Sequence, residues 1–384
     1  MAGRALTIFL IAGEPSGDRL GAAVMAGLRS LLPEVRFIGI GGPGMVAEGL
    51  TSLFPMDELS VMGIAEIAPK YFHLKRRIRE TASAVVAARP DVLLSIDAPD
   101  FSLRVAALVK AQSQVRTVHY VAPTVWAWRP GRAAKMARVI DQVLALFPFE
   151  PPLMQAAGMA CDFVGHPVVA EPVATEAEAA AFRAGMGEAP LILALPGSRR
   201  GEVARLAARF GQALAQVAAA YPGARVVLPA AAPVLAQVRA AVADWSIPVE
   251  VIDPDTDPGG KRKRAAFRAA DVALAASGTV SLELAASGTP MVIGYDMNWI
   301  TRAIMARMLL IDTVTLVNIV SETRVVPEFL GRACQPGLMA AALEDVLAAP
   351  EAQRAAMRLT MERLGAGGEA PGLRAARAVL AGIA

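Results

Sequence analysis

Cysteine is almost absent from this 384-residue chain. The two present, Cys161 and Cys334, are far apart, which excludes a disulfide framework and a short-spaced zinc motif. Histidine is as rare: His73, His119 and His166 are scattered and show no metal-ligand spacing, so no metal or other cofactor is expected. Long apolar runs are also missing. None reaches the ~18–20 residues of a membrane-spanning helix, although 55% of the residues are hydrophobic. Much of that figure is alanine, which favours helices over spans. The opening MAGRALTIFLIAGEPSGD has a short apolar stretch, and Glu14 and Asp18 interrupt where a signal cleavage site would fall. It reads as a strand, and the expected location is the cytoplasm. A charge excess is lacking too: 38 Lys+Arg against 35 Asp+Glu give +3 and a pI near 9.0. That balance does not require nucleic acid as a partner.

Two nucleotide fingerprints are absent as well. The stretch LIAGEPSGDRLG (10–21) reads as strand, glycine loop and helix start. Its glycines fall at 13, 17 and 21, off the G-x-G-x-x-G spacing, and no G-K-[ST] follows. This excludes a dinucleotide dehydrogenase and a P-loop enzyme. Glu14 and Asp18 would repel phosphate at this loop.

What is present is alternation of strands and helices. Apolar runs predict strands at 6–12, 36–40, 92–96, 116–121, 142–147 and 162–165, and again at 191–195, 225–229, 249–252, 272–276, 291–294 and 314–317. Helical patterns fill most gaps, including 18–31, 77–88, 202–220, 233–243 and 280–287. The rhythm predicts an α/β fold of two Rossmann-like, doubly wound domains with parallel sheets. Prolines cluster in GHPVVAEPVA (165–174), which marks the seam. Thr175 and Glu178 form a capping box for the next helix. The expected domains are 1–168 and 169–367, with a helix at about 368–384 packing back on the first. Ligands of such sheets sit beyond the carboxyl ends of the strands, so a cleft between two facing domains is the expected site.

Several strand-end loops carry chemistry. In LPGSRRGEV (195–203), Ser198 and Arg199 open a helix whose N–H groups attract an anion, and Arg199 adds a planar fork for phosphate oxygens. In AASGTVSLE (275–283), Ser277, Gly278 and Thr279 form a turn that a ligand can approach closely. Glu283, one turn on, can accept hydrogen bonds from a ribose diol. The bland alternative for each is an ordinary capped helix start. In LLSIDAPDFS (93–102), Asp97 comes directly off a strand and suits a general base; Asp100 suits a helix cap better. Asn318 in VNIV can simply end a strand, and Glu328 in VVPEF is a weaker candidate still. Trp126 and Trp128 in YVAPTVWAWRPGR (120–132) either shape a sugar or lipid site or anchor the core. KYFHLKRRIRE (70–80) sets Lys75, Arg76, Arg77 and Arg79 among Tyr71 and Phe72. It is either a solvated helix face or a basic-amphipathic membrane patch. KRKR (261–264) reads as an exposed helix start.

The motifs AGEPSGD, GIGGPGM, VMGIAEI, IDAPDF, HYVAPTVWAWR, GHPVV, LPGSRRGEV, ASGTVSLE, GTPMVIGY and VNIV…VPE run in order along nearly the whole chain. As an ordered set they resemble the lipid-A-disaccharide synthase family of Gram-negative glycosyltransferases. The resemblance implies a GT-B-type arrangement and transfer of 2,3-diacylglucosamine from UDP to the 6-hydroxyl of 2,3-diacylglucosamine 1-phosphate. It implies an enzyme peripheral to the cytoplasmic face of the inner membrane, without a metal. By the same resemblance Asp97 is the general base, Arg199 the diphosphate clamp, Glu283 the ribose ligand and Asn318 a donor-site residue. Glu14 and Ser16 match loop positions on the sugar side, with Asp18 and Asp100 beside them; Glu14 either moves a proton or orients sugars. VMGIAEIAPKYFHLKRRIRE, with Val61, Met62 and Ile64, corresponds to the region for acyl chains and membrane. One departure is glycine within GGPGM, where a basic residue is expected. Some members form homodimers by exchanging C-terminal segments, and residues 350–384 leave this open.

Three rivals have distinct signatures. A soluble UDP-sugar enzyme on the same scaffold, such as a UDP-N-acetylglucosamine 2-epimerase, needs no lipid and no amphipathic patch. A dehydrogenase needs the missing glycine fingerprint. A nucleic-acid binder needs its basic residues along one groove, whereas here they flank apolar groups.

Overall fold

Continuous apolar runs become buried parallel strands, because a parallel sheet covered on both faces has no polar side to alternate with. In the computed structural model, which describes residues 6–59, 64–297 and 308–383, with side chains of 64–71 left aside, two such sheets form. The chain divides into two compact units: residues 1–170 with 367–384, and residues 171–366.

The first unit holds β1 (Leu6–Ala12), β2 (Val35–Ile40), β3 (Thr51–Ser52), β4 (Val92–Ile96), β5 (Arg116–Tyr120), β6 (Gln142–Ala145) and β7 (Ala160–Phe163). Their order in the sheet is β3-β2-β1-β4-β5-β6-β7, all parallel. Its helices are α1 (Pro15–Leu31), α2 (Pro43–Ala47), α3 (Ile64–Ala88), α4 (Pro99–Lys110), α5 (Gly131–Met136) and α6 (Pro151–Ala156). The second unit holds β8 (Leu191–Leu195), β9 (Arg225–Pro229), β10 (Val249–Ile252), β11 (Val272–Ala275), β12 (Met291–Tyr295) and β13 (Glu328–Leu330), in the order β10-β9-β8-β11-β12-β13. Its helices are α7 (Glu176–Ala184), α8 (Arg200–Ala220), α9 (Leu235–Ala243), α10 (Lys261–Ala269), α11 (Val280–Ser287), α12 (Leu316–Ser321), α13 (Pro336–Ala348) and α14 (Glu351–Arg363). The last helix, α15 (Pro371–Ala381), belongs to the first unit.

Each expected strand forms within two residues of its bounds except 314–317. That stretch runs into α12, and the sixth strand is β13 instead. Val317 and Val320, three apart, are both buried, and the Thr360 hydroxyl and Arg363 guanidinium of α14 donate to their carbonyls at 3.3 and 2.7 Å. Docking on α14 thus favours the helix where the residues alone suit either form. The capping box forms: Glu178 N–H donates to the Thr175 hydroxyl at 3.2 Å, and Thr175 N–H donates to Glu178 at 2.9 Å.

A recurring aspartate joins the strand starts. Asp91, Asp141 and Asp271 precede β4, β6 and β11, and each carboxylate accepts the N–H of a neighbouring strand: Thr7, Thr117 and Leu191, each at 2.8 Å. These anchors sit at the amino ends of the sheets and leave the carboxyl ends for chemistry. Helices α1 and α15 cross so closely that a Cβ on Gly27 would lie 2.7 Å from the Gly372 carbonyl oxygen.

Candidate active site

In the first unit the strand order reverses between β1 and β4, the place where doubly wound sheets bind ligands. Ala12 lies opposite Ile96. Glu14 in the loop and Ser16 in the first turn of α1 follow on one side, and Asp97 follows on the other. A Cβ on Gly13 would lie 2.9 Å from the Ala98 Cβ, so glycine lets the two loops meet. Asp97 and Ala98 both have left-handed backbones, with φ of 50° and 47°, and Val121 after β5 has φ 85°. Such non-glycine conformations cost about 1–3 kcal/mol each and persist only where surroundings fix them. Here Asp97 N–H donates to the Tyr120 carbonyl at 3.0 Å, Val121 N–H to Leu144 at 3.0 Å, and the Ser102 hydroxyl to the Asp97 carbonyl at 3.1 Å. Among the described residues, no hydrogen bond or ion pair engages the Asp97 or Asp100 carboxylate.

Beside Asp97 lies a cavity of about 200 Å³, lined by Asp100, His119, Val121, Thr124 and Arg132 among others. His119 is buried with Nδ1 2.7 Å from the Ser95 hydroxyl, and burial pulls its pKa down to about 4, so its ring is neutral at pH 7. Trp128 Nε1 donates to the Thr124 hydroxyl at 2.9 Å, and its ring carries the Arg129 guanidinium at 4.4 Å and that of Arg132 at 5.7 Å. Trp126 is a core anchor. Its Nε1 donates to Glu150 at 3.2 Å, and its ring meets Phe149 edge-on at 5.2 Å. Glu150 is itself 2% exposed and also accepts Leu146 and Phe147 N–H groups at 3.1 and 3.0 Å. Burial raises its pKa to about 7 against the pull of those hydrogen bonds.

Asp18 departs from its expected sugar role. It is buried, and its carboxylate accepts three backbone N–H groups, from Gly42, Gly44 and Met45, at 2.8–2.9 Å. It caps α2, and Cβ atoms on Gly42 and Gly44 would lie 2.8 and 3.0 Å from it, which accounts for glycine in GGPGM.

The basic patch on α3 divides. Phe72 is 80% exposed, and Lys75, Arg76 and Arg79 are exposed with it. Arg77 leaves the group: its fork binds Glu58 through two 2.8 Å bonds, it reaches Glu80 at 2.8 Å, and it stacks on Phe54 at 4.2 Å. Those carboxylates, Glu58 first, hold its proton more tightly than usual. Val61 and Met62 lie outside the described residues, and of Ile64 and Tyr71 only the helical backbone is described.

The second unit repeats the plan. Its order reverses between β8 and β11, with Leu195 opposite Ala275. Ser198 and Arg199 follow β8. The Glu202 carboxylate accepts their N–H groups at 3.1 and 3.2 Å and is 3.4 Å from the Arg199 guanidinium, which is 69% exposed. Gly197 has φ 112°, and a Cβ there would collide with the Glu202 side chain. After β11 come Ser277, Gly278 and Thr279. A Cβ on Gly278 would meet nothing within 4 Å, and the Thr279 hydroxyl does not cap α11, so this turn faces open space. Glu283 accepts from Lys263 Nζ at 2.7 Å. Lys263 was hidden in KRKR; nothing in that cluster distinguishes the lysine that turns toward α11 from its neighbours.

Asn318 is held within the second unit. It is 1% exposed, its amide nitrogen donates to the Thr313 hydroxyl and the Val326 carbonyl at 3.2 and 2.9 Å, and its oxygen accepts Val326 N–H at 3.0 Å. Both amide hydrogens are used inside the fold, where the side chain braces a loop. Glu328 acts likewise, accepting from the Thr313 hydroxyl and the Thr315 N–H at 2.7 and 2.6 Å. Among the described residues, no three His, Cys, Asp or Glu gather as metal ligands.

Two parallel α/β units, each with polar side chains where its strand order reverses, fit the two-domain Rossmann-like fold of GT-B glycosyltransferases. Solved structures share the fold. A glycosyltransferase of kitacinnamycin matches with a TM-score of 0.62 and 16% identity over 99% of each chain. A putative UDP-N-acetylglucosamine 2-epimerase from Listeria monocytogenes matches with a TM-score of 0.62 and 14% identity, over 99% of this chain and 96% of that one. At such identities the likeness is one of fold alone, and the epimerase reading gains nothing beyond a shared scaffold. Within the class, the family model described as lipid-A-disaccharide synthetase matches residues 8–377. A lipid-A-disaccharide synthase from Ruegeria pomeroyi is 66% identical over 99% of this chain and 96% of its own length, and one from Rhodospirillum centenum is 45% identical over 98% and 94%. The chain belongs to the lipid-A-disaccharide synthase family and is a glycosyltransferase of lipid A biosynthesis.

Proposed function

We propose that the chain moves 2,3-diacylglucosamine from UDP to the 6-hydroxyl of 2,3-diacylglucosamine 1-phosphate. The acceptor oxygen attacks the donor's anomeric carbon as the bond from that carbon to the diphosphate oxygen breaks. UDP leaves with the electron pair, Asp97 takes the hydroxyl proton, and the single displacement inverts the centre to a β-1,6 link. One observation carries this reading: Asp97 is an unengaged carboxylate on a strained, pinned turn lining a cavity. Glu14 and Ser16, across the Gly13–Ala98 approach, suit sugar hydroxyls.

The donor side falls to the second unit. Arg199 and the Ser277–Thr279 turn hold the diphosphate, stabilising the leaving group by fixed positive charge and N–H dipoles. Ser198 adds its hydroxyl, since Glu202 already occupies its N–H. Glu283, fixed by Lys263, takes the ribose diol. Phe72, Lys75, Arg76 and Arg79 suit the anionic cytoplasmic face of the inner membrane. No described helix is long and apolar enough to cross a membrane.

The test is Asp97→Asn with both lipid substrates and mass spectrometry of the lipid product. Turnover is expected to fall by about 10²–10⁴-fold while UDP affinity holds. Near-normal initial rates would refute the assignment.

A further inference from the structure

We propose that Arg132 reads the anionic C1 substituent of the acceptor sugar while Asp97 takes its hydroxyl, which makes Arg132 the residue that selects phosphorylated acceptors. This rests on the reading of the Asp97 cavity as the acceptor site.

Three observations lead here. Arg132 lines the same cavity of about 200 Å³ as Asp97 and Asp100, yet no ion pair joins it to either, and among the described residues its guanidinium has no carboxylate partner. Opposite charges that share a cavity without meeting leave a gap for something that bridges them. A sugar with a hydroxyl at one end and a phosphate at the other has that pattern. Second, the Arg132 fork is held from one side. It lies 5.7 Å from the Trp128 ring centre, and that ring is fixed by the 2.9 Å bond from Nε1 to the Thr124 hydroxyl, itself on the cavity wall. A guanidinium within cation–π range of a ring and without a carboxylate keeps its N–H groups available for phosphate oxygens. Third, size fits a headgroup. At about 200 Å³ the cavity falls below the ~300–1,000 Å³ of pockets that enclose whole ligands, so it takes a sugar and leaves acyl chains outside. The basic residue expected in GGPGM is also absent, since Gly42 and Gly44 close on Asp18.

The test compares initial rates of wild type, Arg132→Gln and Arg132→Lys with saturating donor, on diacylglucosamine with and without its 1-phosphate. Arg132→Gln is expected to lower kcat/KM for the phosphorylated acceptor by roughly 10–100-fold, mostly through KM. The same variant should match wild type on the acceptor lacking phosphate, and Arg132→Lys should fall between, keeping charge but losing the fork. Equal losses on both acceptors, no loss on either, or weakened UDP affinity would overturn the assignment. If the Gln variant melts early, the Lys variant decides by the same comparison. A wild type that makes no disaccharide overturns the proposed function itself; one that makes it without this discrimination overturns only Arg132.

Discussion

Glu150→Gln offers a measurable test of how burial acts on one carboxyl. The wild-type group sits at about 7 in the folded chain against an ordinary 4.5. Between those values the folded state holds a proton that the unfolded state has lost, so stability is fully present below pH 4.5 and declines as pH rises through 7. The displacement is worth about 3 kcal/mol in total, of which about 2–3 kcal/mol falls between pH 5 and 8.5. Other groups titrate in that range with the opposite sign. His119 and His166 are each held near 4 by burial, so they cost stability as pH falls below their ordinary 6.5. Subtracting the variant from the wild type removes them. Gln also presents an N–H₂ either to Trp126, at the place of Oε1, or to Leu146 and Phe147, at the place of Oε2. That costs about 1 kcal/mol at every pH. Parallel urea titrations followed by circular dichroism should therefore show wild type losing stability toward pH 8.5 relative to Glu150→Gln. A pH-independent difference would show that the hydrogen bonds outweigh desolvation, and the reasoning would be wrong.

Arg199→Ala should weaken UDP binding by about tenfold or more in calorimetry; unchanged affinity would remove the clamp. Asn318→Ala strands the Val326 N–H and carbonyl, and should cost about 2–4 kcal/mol in melting experiments. A variant that melts normally but loses UDP would return Asn318 to the donor site. Replacing Lys75, Arg76 and Arg79 with Gln should reduce cosedimentation with anionic vesicles, by about 1 kcal/mol per charge at low salt, while Arg77→Gln should instead lower the melting temperature. Equal sedimentation of wild type and triple variant would remove α3 from the membrane.

Strands were legible because buried parallel strands are unbroken apolar words such as LTIFLIA and LILAL. The place of Asp97 at the end of β4 was legible because it follows such a word directly. Residues 314–317 were not, since the choice between strand and helix was made by Thr360 and Arg363 on a distant helix. The direction of a side chain was the other blind spot. Asp18 lies only one helical turn past Glu14, and nothing in the sequence shows that it turns inward to three N–H groups. Arg77 and Arg76 are chemically alike, and it is Glu58 and Phe54, from a separate segment, that set Arg77 apart. Arg132 and Glu150 stayed hidden because what sets them apart comes from other strand-end loops: the Asp97 cavity wall for Arg132 and the Trp126 indole for Glu150.

The close crossing of α1 and α15 sets an order of assembly. The first unit is interrupted in sequence by the whole of the second, roughly 200 residues. A ribosome takes about 10–40 s to traverse that length. Throughout that interval the small-residue face of α1 around Ala23 and Gly27 waits uncovered for its partner. The unit begun first is finished last, and severing the chain at the 170/171 seam separates that unit from its own closing helix.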